Sequence, residues 1–257
     1  MRAIVIEKFG DPENLVYKEL PEPEPKAGHV VIEIKAFGIN HAEMHMRRGE
    51  WAEAAKVSGI ECVGLVKACP GGEFPIGAKV AALMGGLGRT INGSYAEYTR
   101  APASNVALIE SDLPWAELAA IPETYATAWT CLFRNLEITK GRTVLIRGGP
   151  SSFGRAAINM AVNAGVRVIA TGRSSDSFAA LKELGAERVE VEGPDLSKRI
   201  PEAKRLDAVL DLVGNSTILD SLAMLRRAAA RASLVGSAAS HRSPTSTRYC
   251  RWRAAFI

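Results

Sequence analysis

The sequence lacks the features of a membrane-spanning, secreted or strongly basic protein. No window approaches the roughly 18 uninterrupted apolar residues that a membrane-spanning helix needs. The first residues, MRAIVIEKFGD (1–11), form a short alternating run without the long apolar stretch of a secretory signal. The net charge of +4 is too small to indicate nucleic-acid binding by itself. We therefore expect neither a membrane nor a nucleic acid as partner.

Cysteine is also scarce, and its spacing carries no pattern. The 4 cysteines form no C-x-x-C pair and no disulfide-dense framework; they are Cys62, Cys69, Cys131 and Cys250. A cytoplasmic location, which is reducing, is the simplest expectation. The 257 residues, 47% hydrophobic and 23% charged, have the composition of an ordinary globular protein. They suffice for one large domain or two modest ones.

The first part of the chain, residues 1–118, predicts a β-rich domain. Short runs of β-branched and apolar residues are separated by Gly and Pro, as in PEPEPKAG and PGGEFPIG. The predicted strands are 3–7, 30–38, 62–68, 79–85 and 94–99. This pattern is typical of a closed or partly closed β-barrel.

Residues 119–239 change to an alternation of strands and helices. Residues 113–133 predict two helical pieces broken at Pro122. The predicted strands are then 143–146, 167–172, 188–191, 207–214 and 232–237, with helices near 154–164, 176–185, 196–204 and 217–228. Such alternation requires right-handed crossovers and a parallel sheet. We predict an α/β protein: a β-rich barrel domain, a doubly wound parallel sheet, and a basic, disordered tail at 240–257.

The turn after the first strand of the alternating region has the spacing of a dinucleotide-binding loop. In TVLIRGGPSSFGRAAINMAVNAGVRVIATGR (143–173), Gly148, Ser151 and Gly154 follow G-x-x-G-x-x-G with the middle glycine replaced. Gly148 allows a sharp turn off the strand, and Gly154 allows the helix to lie close to the sheet. The alternative is a plain tight strand–helix turn, but the strand–turn–helix–strand context favours phosphate binding.

Serine at the middle position remains small enough for the backbone to approach a pyrophosphate. The hydroxyls of Ser151 and Ser152 can also donate to phosphate oxygens. Backbone N–H groups at the start of the helix, near Phe153, complete the predicted anion site. Pro150 removes one backbone donor and weakens the site somewhat.

The end of the second strand predicts which cofactor binds. NAD sites place an acid there for the ribose hydroxyls, whereas NADP sites use cations and hydroxyls for the extra phosphate. Here Thr171, Arg173, Ser174 and Ser175 precede the first acid, Asp176. Because arginine can form a two-pronged contact with phosphate, NADPH is favoured. The alternative is a solvated arginine beside an aspartate that caps the next helix.

Several motifs, in this order and spacing, resemble the medium-chain dehydrogenase/reductase superfamily, in particular its zinc-independent quinone oxidoreductase branch. Besides the glycine turn, the motifs are FGINHAEMHMRRG (37–49), SGIECVGLV (58–66), GSYAEY (93–98), ATAW (126–129) and LDAVLDLVGN (206–215). The resemblance covers residues 1 to about 236. It implies a GroES-like N-terminal domain and a Rossmann-type C-terminal domain.

The same resemblance argues against zinc. Zinc-dependent members use a Cys where Asn40 stands and a His where Ile60 stands, and neither residue here is a good ligand. Their four-cysteine structural lobe is absent as well. The remaining candidate ligands, for which a structural or surface role is favoured, are Glu61, Glu123, His41 and His45.

The resemblance also suggests residues of the active site. The asparagine that matches Asn40 lies beside the nicotinamide, and His45 takes the place of a frequent Tyr, where it could donate a hydrogen bond or a proton. Thr127 matches a threonine near the phosphate and the nicotinamide ribose, and Val213 and Gly214 end a strand where ligands lie. The alternatives are a loop histidine and a helix threonine that bonds to its own turn.

We therefore expect an NADPH-dependent, zinc-free reductase of quinones, enones or small carbonyl compounds. The alternative is a non-catalytic NADPH-binding protein or an inactive, truncated remnant, because the chain departs from the family after about Arg227. Relatives form homodimers through the region that follows, so dimerisation is doubtful here, and we expect reduced stability.

Overall fold

The structure is a computed structural model and describes residues 1–226 and 232–234. Within them the strands are β1 (Arg2–Ile6), β2 (Leu15–Glu19), β3 (His29–Ala36), β4 (Glu61–Ala68), β5 (Lys79–Leu83), β6 (Tyr98–Pro102), β7 (Val106–Leu108), β8 (Thr143–Arg147), β9 (Arg167–Gly172), β10 (Arg188–Val191), β11 (Ala208–Asp211) and β12 (Ala232–Leu234). The helices are α1 (His41–Arg47), α2 (Trp115–Leu118), α3 (Pro122–Trp129), α4 (Ser152–Asn163), α5 (Phe178–Glu183), α6 (Leu196–Arg199) and α7 (Ile218–Ala223). A π-helical segment, Thr130–Asn135, continues α3. The predicted tail at 240–257 lies outside the described residues.

The N-terminal sheet is antiparallel, with the strand order β6-β3-β4-β5-β7. Its two edge strands are joined by only three residues, Ala103–Asn105. Because so short a connection holds both edges close together, the sheet curls around its own apolar core. That core contains Val30, Ile32, Cys62 and Val80, each with no exposed surface. The predicted β-rich, barrel-like domain is confirmed.

The details of the N-terminal part differ from the prediction in several places. Strands β2 and β7 and helix α1 were not predicted, and the strand expected at 94–99 lies at Tyr98–Pro102. Residues before it bond to an irregular loop and to β1: the N–H of Tyr95 donates to the carbonyl of Ser58, and the N–H of Ile4 donates to the carbonyl of Tyr95. A Cβ on Gly93 would lie 2.1 Å from the carbonyl oxygen of Gly59, so the two backbones touch there.

The C-terminal sheet is fully parallel, with the order β10-β9-β8-β11-β12. Consecutive residues of β8 point to opposite faces, as a strand requires. Val144 and Ile146 pack in the cluster that contains α4 residues, whereas Leu145 packs with Leu196 of α6. Both faces of the sheet are thus covered by helices, and the predicted doubly wound arrangement is confirmed.

Helices α2 and α3 connect the two sheets, and the break between them lies at Pro122, as predicted. Pro122 begins α3, after α2 has ended at Leu118. Leu118 and Ala119 pack against Val63 of β4, while α3 contacts β4 and β5 on one side and α4 on the other. Helix α3 therefore carries residues into the cleft between the two sheets. In the part of the chain that is described, no helix is both long enough and apolar enough to cross a bilayer.

Several C-terminal elements are shorter than predicted. The predicted strand 207–214 ends at Asp211, and the predicted helices 196–204 and 217–228 are only Leu196–Arg199 and Ile218–Ala223. The strand stops because the buried Asp211 carboxylate accepts the N–H groups of Val213 (2.9 Å) and Gly214 (3.0 Å), which turns the chain. A side chain that binds its own following backbone competes with continued strand pairing.

Candidate cofactor and substrate site

The glycine turn between β8 and α4 requires glycine at both of its outer positions. Gly148 has φ +81, a left-handed conformation that other residues rarely adopt. A Cβ on Gly154 would lie 2.6 Å from the carbonyl oxygens of both Gly148 and Gly149. The first turn of α4 is therefore packed directly on the backbone of the turn, as a dinucleotide-binding loop needs.

Ser151 caps α4 rather than presenting its hydroxyl to a ligand. Its Oγ accepts the N–H of Gly154 at 3.0 Å and donates to the carbonyl of Gly148 at 2.9 Å. The hydroxyl proton expected for a phosphate is thus used inside the turn. Ser152 and Phe153 open the helix, where N–H groups have no acceptor within the helix, and Ser152 is exposed. These two N–H groups and the Ser152 hydroxyl are the donors left for an anion.

Arg147, which ends β8, lies at the centre of a buried ion network that the sequence analysis missed. Its guanidinium has no exposed surface and pairs with Glu192, after β10, and with Asp220 of α7. It also donates to the hydroxyl of Ser221 at 3.1 Å. Burial opposes its charge, but Glu192, Asp211 and Asp220 outweigh that effect and raise the pKa of Arg147. The network ties the ends of three elements together.

Thr171 joins this network to the glycine turn. Its buried hydroxyl accepts the N–H of Gly148 at 3.1 Å and donates to Glu192 at 2.6 Å. Thr171 thus supports the turn from inside, and its hydroxyl hydrogen is not free for a cofactor. An acid does lie near the end of β9, as in NAD sites, but it is Glu192 from the neighbouring strand and it is paired with Arg147.

Arg173 and Ser174 follow β9 at the surface, beside the glycine turn. A Cβ on Gly172 would lie 3.3 Å from Cγ of Pro150, so the strand end and the turn are in contact. Arg173 is exposed and makes no hydrogen bond or ion pair with any residue that the structure describes. The Ser174 hydroxyl donates to Asp176 at 3.1 Å.

The backbone after β11 is open at the same edge of the sheet. Gly214 has φ +105, and a Cβ there would meet no atom within 4 Å, while Val213 is 42% exposed. A cavity of about 620 Å³ opens between the loops that follow β10 and β11. Its lining includes Arg147, Glu192 and Ser197. Its volume is in the range of roughly 300–1,000 Å³ that small-molecule sites occupy.

A chain of hydrogen bonds crosses the cleft and connects two of the residues expected in the site. The side-chain amide of Asn40 donates to Oε1 of Glu61 at 2.7 Å, and Oε2 of Glu61 accepts the N–H of Glu123 at 2.8 Å. Oε1 of Glu123 in turn accepts the hydroxyl of Thr127 at 2.8 Å. The structure therefore brings Asn40 and Thr127 together through two glutamates for which a structural or surface role was expected.

Three carboxylates, Glu43, Glu61 and Glu123, form what we call the carboxylate cluster. Glu43 is only 4% exposed and Glu61 only 2%. Glu43 accepts the N–H of Ile60 at 3.1 Å and the N–H of Asn40, which it caps as the third residue of α1. Burial raises the pKa of both Glu43 and Glu61. Burial, with the charges of Glu61 and Glu43, raises the pKa of Glu123 to about 7, although the Thr127 hydroxyl opposes the shift.

His45 is buried on α1, and its partner Glu50 is not part of the hydrogen-bonded chain that connects Asn40 with Thr127. Its Nδ1 bonds with the carboxylate of Glu50, and this bond lowers the pKa of Glu50. His41 is exposed and meets the ring of His45 edge-on, with ring centroids 5.1 Å apart. The catalytic role expected of His45 stays a prediction, because no hydrogen bond among the described residues links it to Asn40.

The residues do not fit a zinc ion at the position where zinc-dependent enzymes bind it. The Asn40 amide nitrogen is a donor to Glu61, and Ile60 offers no ligand atom. Across residues 1–226 and 232–234, no three His, Cys, Asp or Glu side chains are arranged as a metal-binding group.

One signal in the sequence pointed to the buried network. Arg147 is a charged residue at the end of an apolar strand, and such an arginine requires acidic partners when it is buried. Its partners Glu192 and Asp220 lie 45 and 73 residues away, so the sequence alone could not identify them.

Two family models match the chain. One is described as the alcohol dehydrogenase GroES-like domain and matches residues 26–111; the other is described as zinc-binding dehydrogenase and matches residues 153–252. The quinone oxidoreductase of Pongo abelii is 28% identical over 235 residues, which are 88% of this chain and 70% of that protein.

Solved structures share the same fold. A mycobacterial protein in complex with NADPH has a TM-score of 0.77 and 29% identity, covering 88% of this chain and 70% of that one. A structure described as an NAD-dependent alcohol dehydrogenase has a TM-score of 0.83 and 29% identity, covering 92% and 78%. The two differ in the cofactor that their names give.

Proposed function

We propose the function of this chain from its membership of the medium-chain dehydrogenase/reductase superfamily, of which it is a quinone oxidoreductase-like member. It is accordingly an oxidoreductase with a nicotinamide cofactor and a small-molecule substrate. The finer proposal is an NADPH-dependent, zinc-free reductase of quinones, enones or other small carbonyl compounds. Hydride would pass directly to the substrate in the cleft between the proposed domains, 1–118 and 119–239.

The glycine turn is the proposed pyrophosphate site. The N–H groups of Ser152 and Phe153 and the Ser152 hydroxyl would bind the phosphates, at the positive end of α4. Gly148 and Gly154 keep the backbone close enough for that contact. The proposed role of Ser151 is to hold the turn in shape through its cap.

The choice of NADPH is carried by one observation: Arg173, beside the glycine turn, is exposed and has no partner among the described residues. A 2′-phosphate at the end of β9 would give this arginine a partner, with the Ser174 hydroxyl close by. Glu192 would repel that phosphate if it were free, but its charge is compensated by Arg147. Thr171 contributes indirectly, by holding Gly148.

The remaining predicted residues would surround the nicotinamide end. The exposed Val213 and the adjacent Gly214, where a Cβ would meet no atom within 4 Å, lie at the carboxyl end of β11, where ligands bind in open parallel sheets. Asn40 and Thr127 are held in fixed positions by Glu61 and Glu123. When bound, the reduced nicotinamide supplies a hydride. Without zinc, polarisation of the substrate oxygen depends on donors from the protein.

Replacing Arg173 tests the proposed cofactor. In Arg173→Ala we expect the affinity for NADPH to fall about 10–100-fold, since a charge-assisted contact with phosphate is lost. The affinity for NADH should not change. Quenching of tryptophan fluorescence measures both, because Trp129 on α3 is 47% exposed and adjoins the proposed site. The matched control is Arg167→Ala, at the other end of β9, where the arginine pairs with Glu187.

Two results would contradict the proposal. Equal affinities of the wild-type chain for NADH and NADPH would remove the role of Arg173. NADPH binding without oxidation of NADPH by any of a panel of quinones and enals would select the alternative, a non-catalytic NADPH-binding protein.

A further inference from the structure

The carboxylate cluster contains one member that can meet a substrate. Both oxygens of Glu61 and both of Glu43 bind donors from the protein, and both residues are almost fully buried. Glu123 differs, since only its Oε1 accepts a hydrogen bond, from Thr127, within the described residues. Its side chain is half-buried rather than enclosed. Oε2 of Glu123 is therefore the one carboxyl oxygen of the cluster without a hydrogen-bond partner among the described residues.

The groups around Glu123 favour its protonated form. Glu61 of β4 and Glu43 of α1 face it with negative charge, and Tyr95, whose own pKa is raised by burial and by Glu43, lies against the same cluster. Of the cations on the neighbouring elements, Lys79 of β5 donates to the carbonyl of Ser111, and Arg155 of α4 is exposed. No lysine or arginine among the described residues bonds to Glu123. Burial and these like charges raise the pKa of Glu123 to about 7.

We propose that Glu123 is the proton donor of the reductase, an inference that rests on the proposed function. Reduction of an enone needs a hydride at the β-carbon and a proton at the α-carbon or the oxygen. When bound, the reduced nicotinamide would supply the hydride with the two electrons of the new C–H bond, and would itself be oxidised. The displaced π electrons reach the carbonyl oxygen, and the resulting enolate takes the proton of Glu123. The Glu123 O–H bond breaks, the carboxylate remains, and solvent returns a proton to it.

The position of Glu123 suits this role better than that of His45. Glu123 belongs to the hydrogen-bonded chain that includes Asn40 and Thr127, the residues proposed to lie beside the nicotinamide. The Nδ1 of His45 is bound to Glu50. The Thr127 hydroxyl holds Oε1 of Glu123 and leaves Oε2 available.

The test compares Glu123→Gln with Glu117→Gln, the same substitution at an exposed glutamate of α2. Glutamine keeps the oxygen that accepts from Thr127 but has no acidic proton. We expect kcat with an enal to fall roughly 10²-fold in Glu123→Gln, the usual loss for a missing general acid. NADPH affinity should change less than about threefold. In the wild type, kcat should decline above about pH 7, and this decline should disappear in Glu123→Gln. Glu123→Asp should restore part of the activity.

A second measurement needs no cofactor. In the chain labelled with ¹³C at the glutamate carboxyl, one resonance should titrate near pH 7, and it should be missing from Glu123→Gln. Absence of this resonance from the wild type would overturn the proposal, whether or not the variant folds. The proposal would also be overturned if kcat of Glu123→Gln kept the wild-type dependence on pH. The same holds if the decline of kcat at alkaline pH disappeared only in His45→Ala.

The outcomes separate the two proposals. A wild-type chain that does not bind or oxidise NADPH overturns the proposed function, and the role of Glu123 falls with it. A wild-type chain that oxidises NADPH, beside a Glu123→Gln variant of equal kcat, overturns only the role of Glu123.

Discussion

Acidic side chains have different partners at the carboxyl edge of the parallel sheet and in the carboxylate cluster. At the sheet edge, Glu192 and Asp220 are paired with the fully buried Arg147. In the cluster, Glu43, Glu61 and Glu123 lie close together, and among the described residues each is bound by N–H, amide or hydroxyl donors rather than by a cation. Despite burial, hydrogen bonds from Ser197 and the charge of Arg147 lower the pKa of Asp220, whereas burial raises the pKa of each acid in the carboxylate cluster.

The two regions also differ in their proposed roles: one positions the glycine turn, and the other lies beside the proposed substrate. The Arg147 network holds Thr171, and through it the N–H of Gly148, so the shape of the glycine turn depends on residues that no ligand touches. The cluster holds Asn40 and Thr127 from both sides of the cleft. A rigid, fully satisfied network therefore lies under the proposed cofactor, and a partly satisfied one lies beside the proposed substrate.

Removing the cation from the sheet edge should have the largest effect. Arg147→Met leaves the partly buried Glu192 and Asp220 without their cation, and we expect the free energy of unfolding to fall by about 3–5 kcal/mol. Chemical denaturation at neutral pH measures this. The control Arg167→Met removes an exposed ion pair and should cost at most about 1 kcal/mol. Equal losses in the two variants would show that the network is not a stabilising centre.

The carboxylate cluster should show the opposite behaviour with pH. The pKa of Glu123 in the folded chain, about 7, lies above its ordinary value of 4.5, so the folded state binds this proton more tightly than the unfolded state. Stability should therefore decrease as pH rises from 4.5 to 7. Glu123→Gln should be more stable than the wild type at pH 8 by about 2–3 kcal/mol, and equal to it near pH 4.

Denaturation of both proteins across this pH range is the measurement. Glu117→Gln, at an exposed glutamate, should follow the wild-type curve. A difference between Glu123→Gln and the wild type that does not vary with pH would mean that Glu123 is charged in the folded chain, and the contrast between the two regions would then be wrong.

The smallest effect is expected in the glycine turn. In Gly154→Ala the new Cβ would lie 2.6 Å from two carbonyl oxygens, so the backbone must shift, at a cost of about 1–2 kcal/mol. NADPH affinity should fall too, because the shift moves the N–H groups of Ser152 and Phe153. The control is Gly193→Ala, where the nearest atom, on Arg199, would be 3.7 Å away. A thermal melt and fluorescence quenching check both; unchanged affinity in Gly154→Ala would argue against a phosphate site there.

Much of the fold was predictable because its signals are local. The alternation of strands and helices after residue 119, the break at Pro122 and the glycine spacing at 148–154 depend on neighbours within a few turns of chain. The segment at 94–99 was predicted wrongly since its pairing with Ser58 and Gly59 depends on a loop 35 or more residues away. Propensity does not report such a contact.

Residues close together in the chain were enough to predict the two kinds of sheet and the turn that opens α4, because period-two and helical patterns and glycine conformations are properties of short segments. The partner of each acidic side chain depends instead on contacts that form in the folded chain. Glu192 meets Arg147 across 45 residues, and Glu61 meets Glu123 across 62, so the same residue type became an ion-pair partner in one place and a candidate acid in the other. Burial and the nearest charge set a carboxyl pKa, and both come from residues distant in the chain.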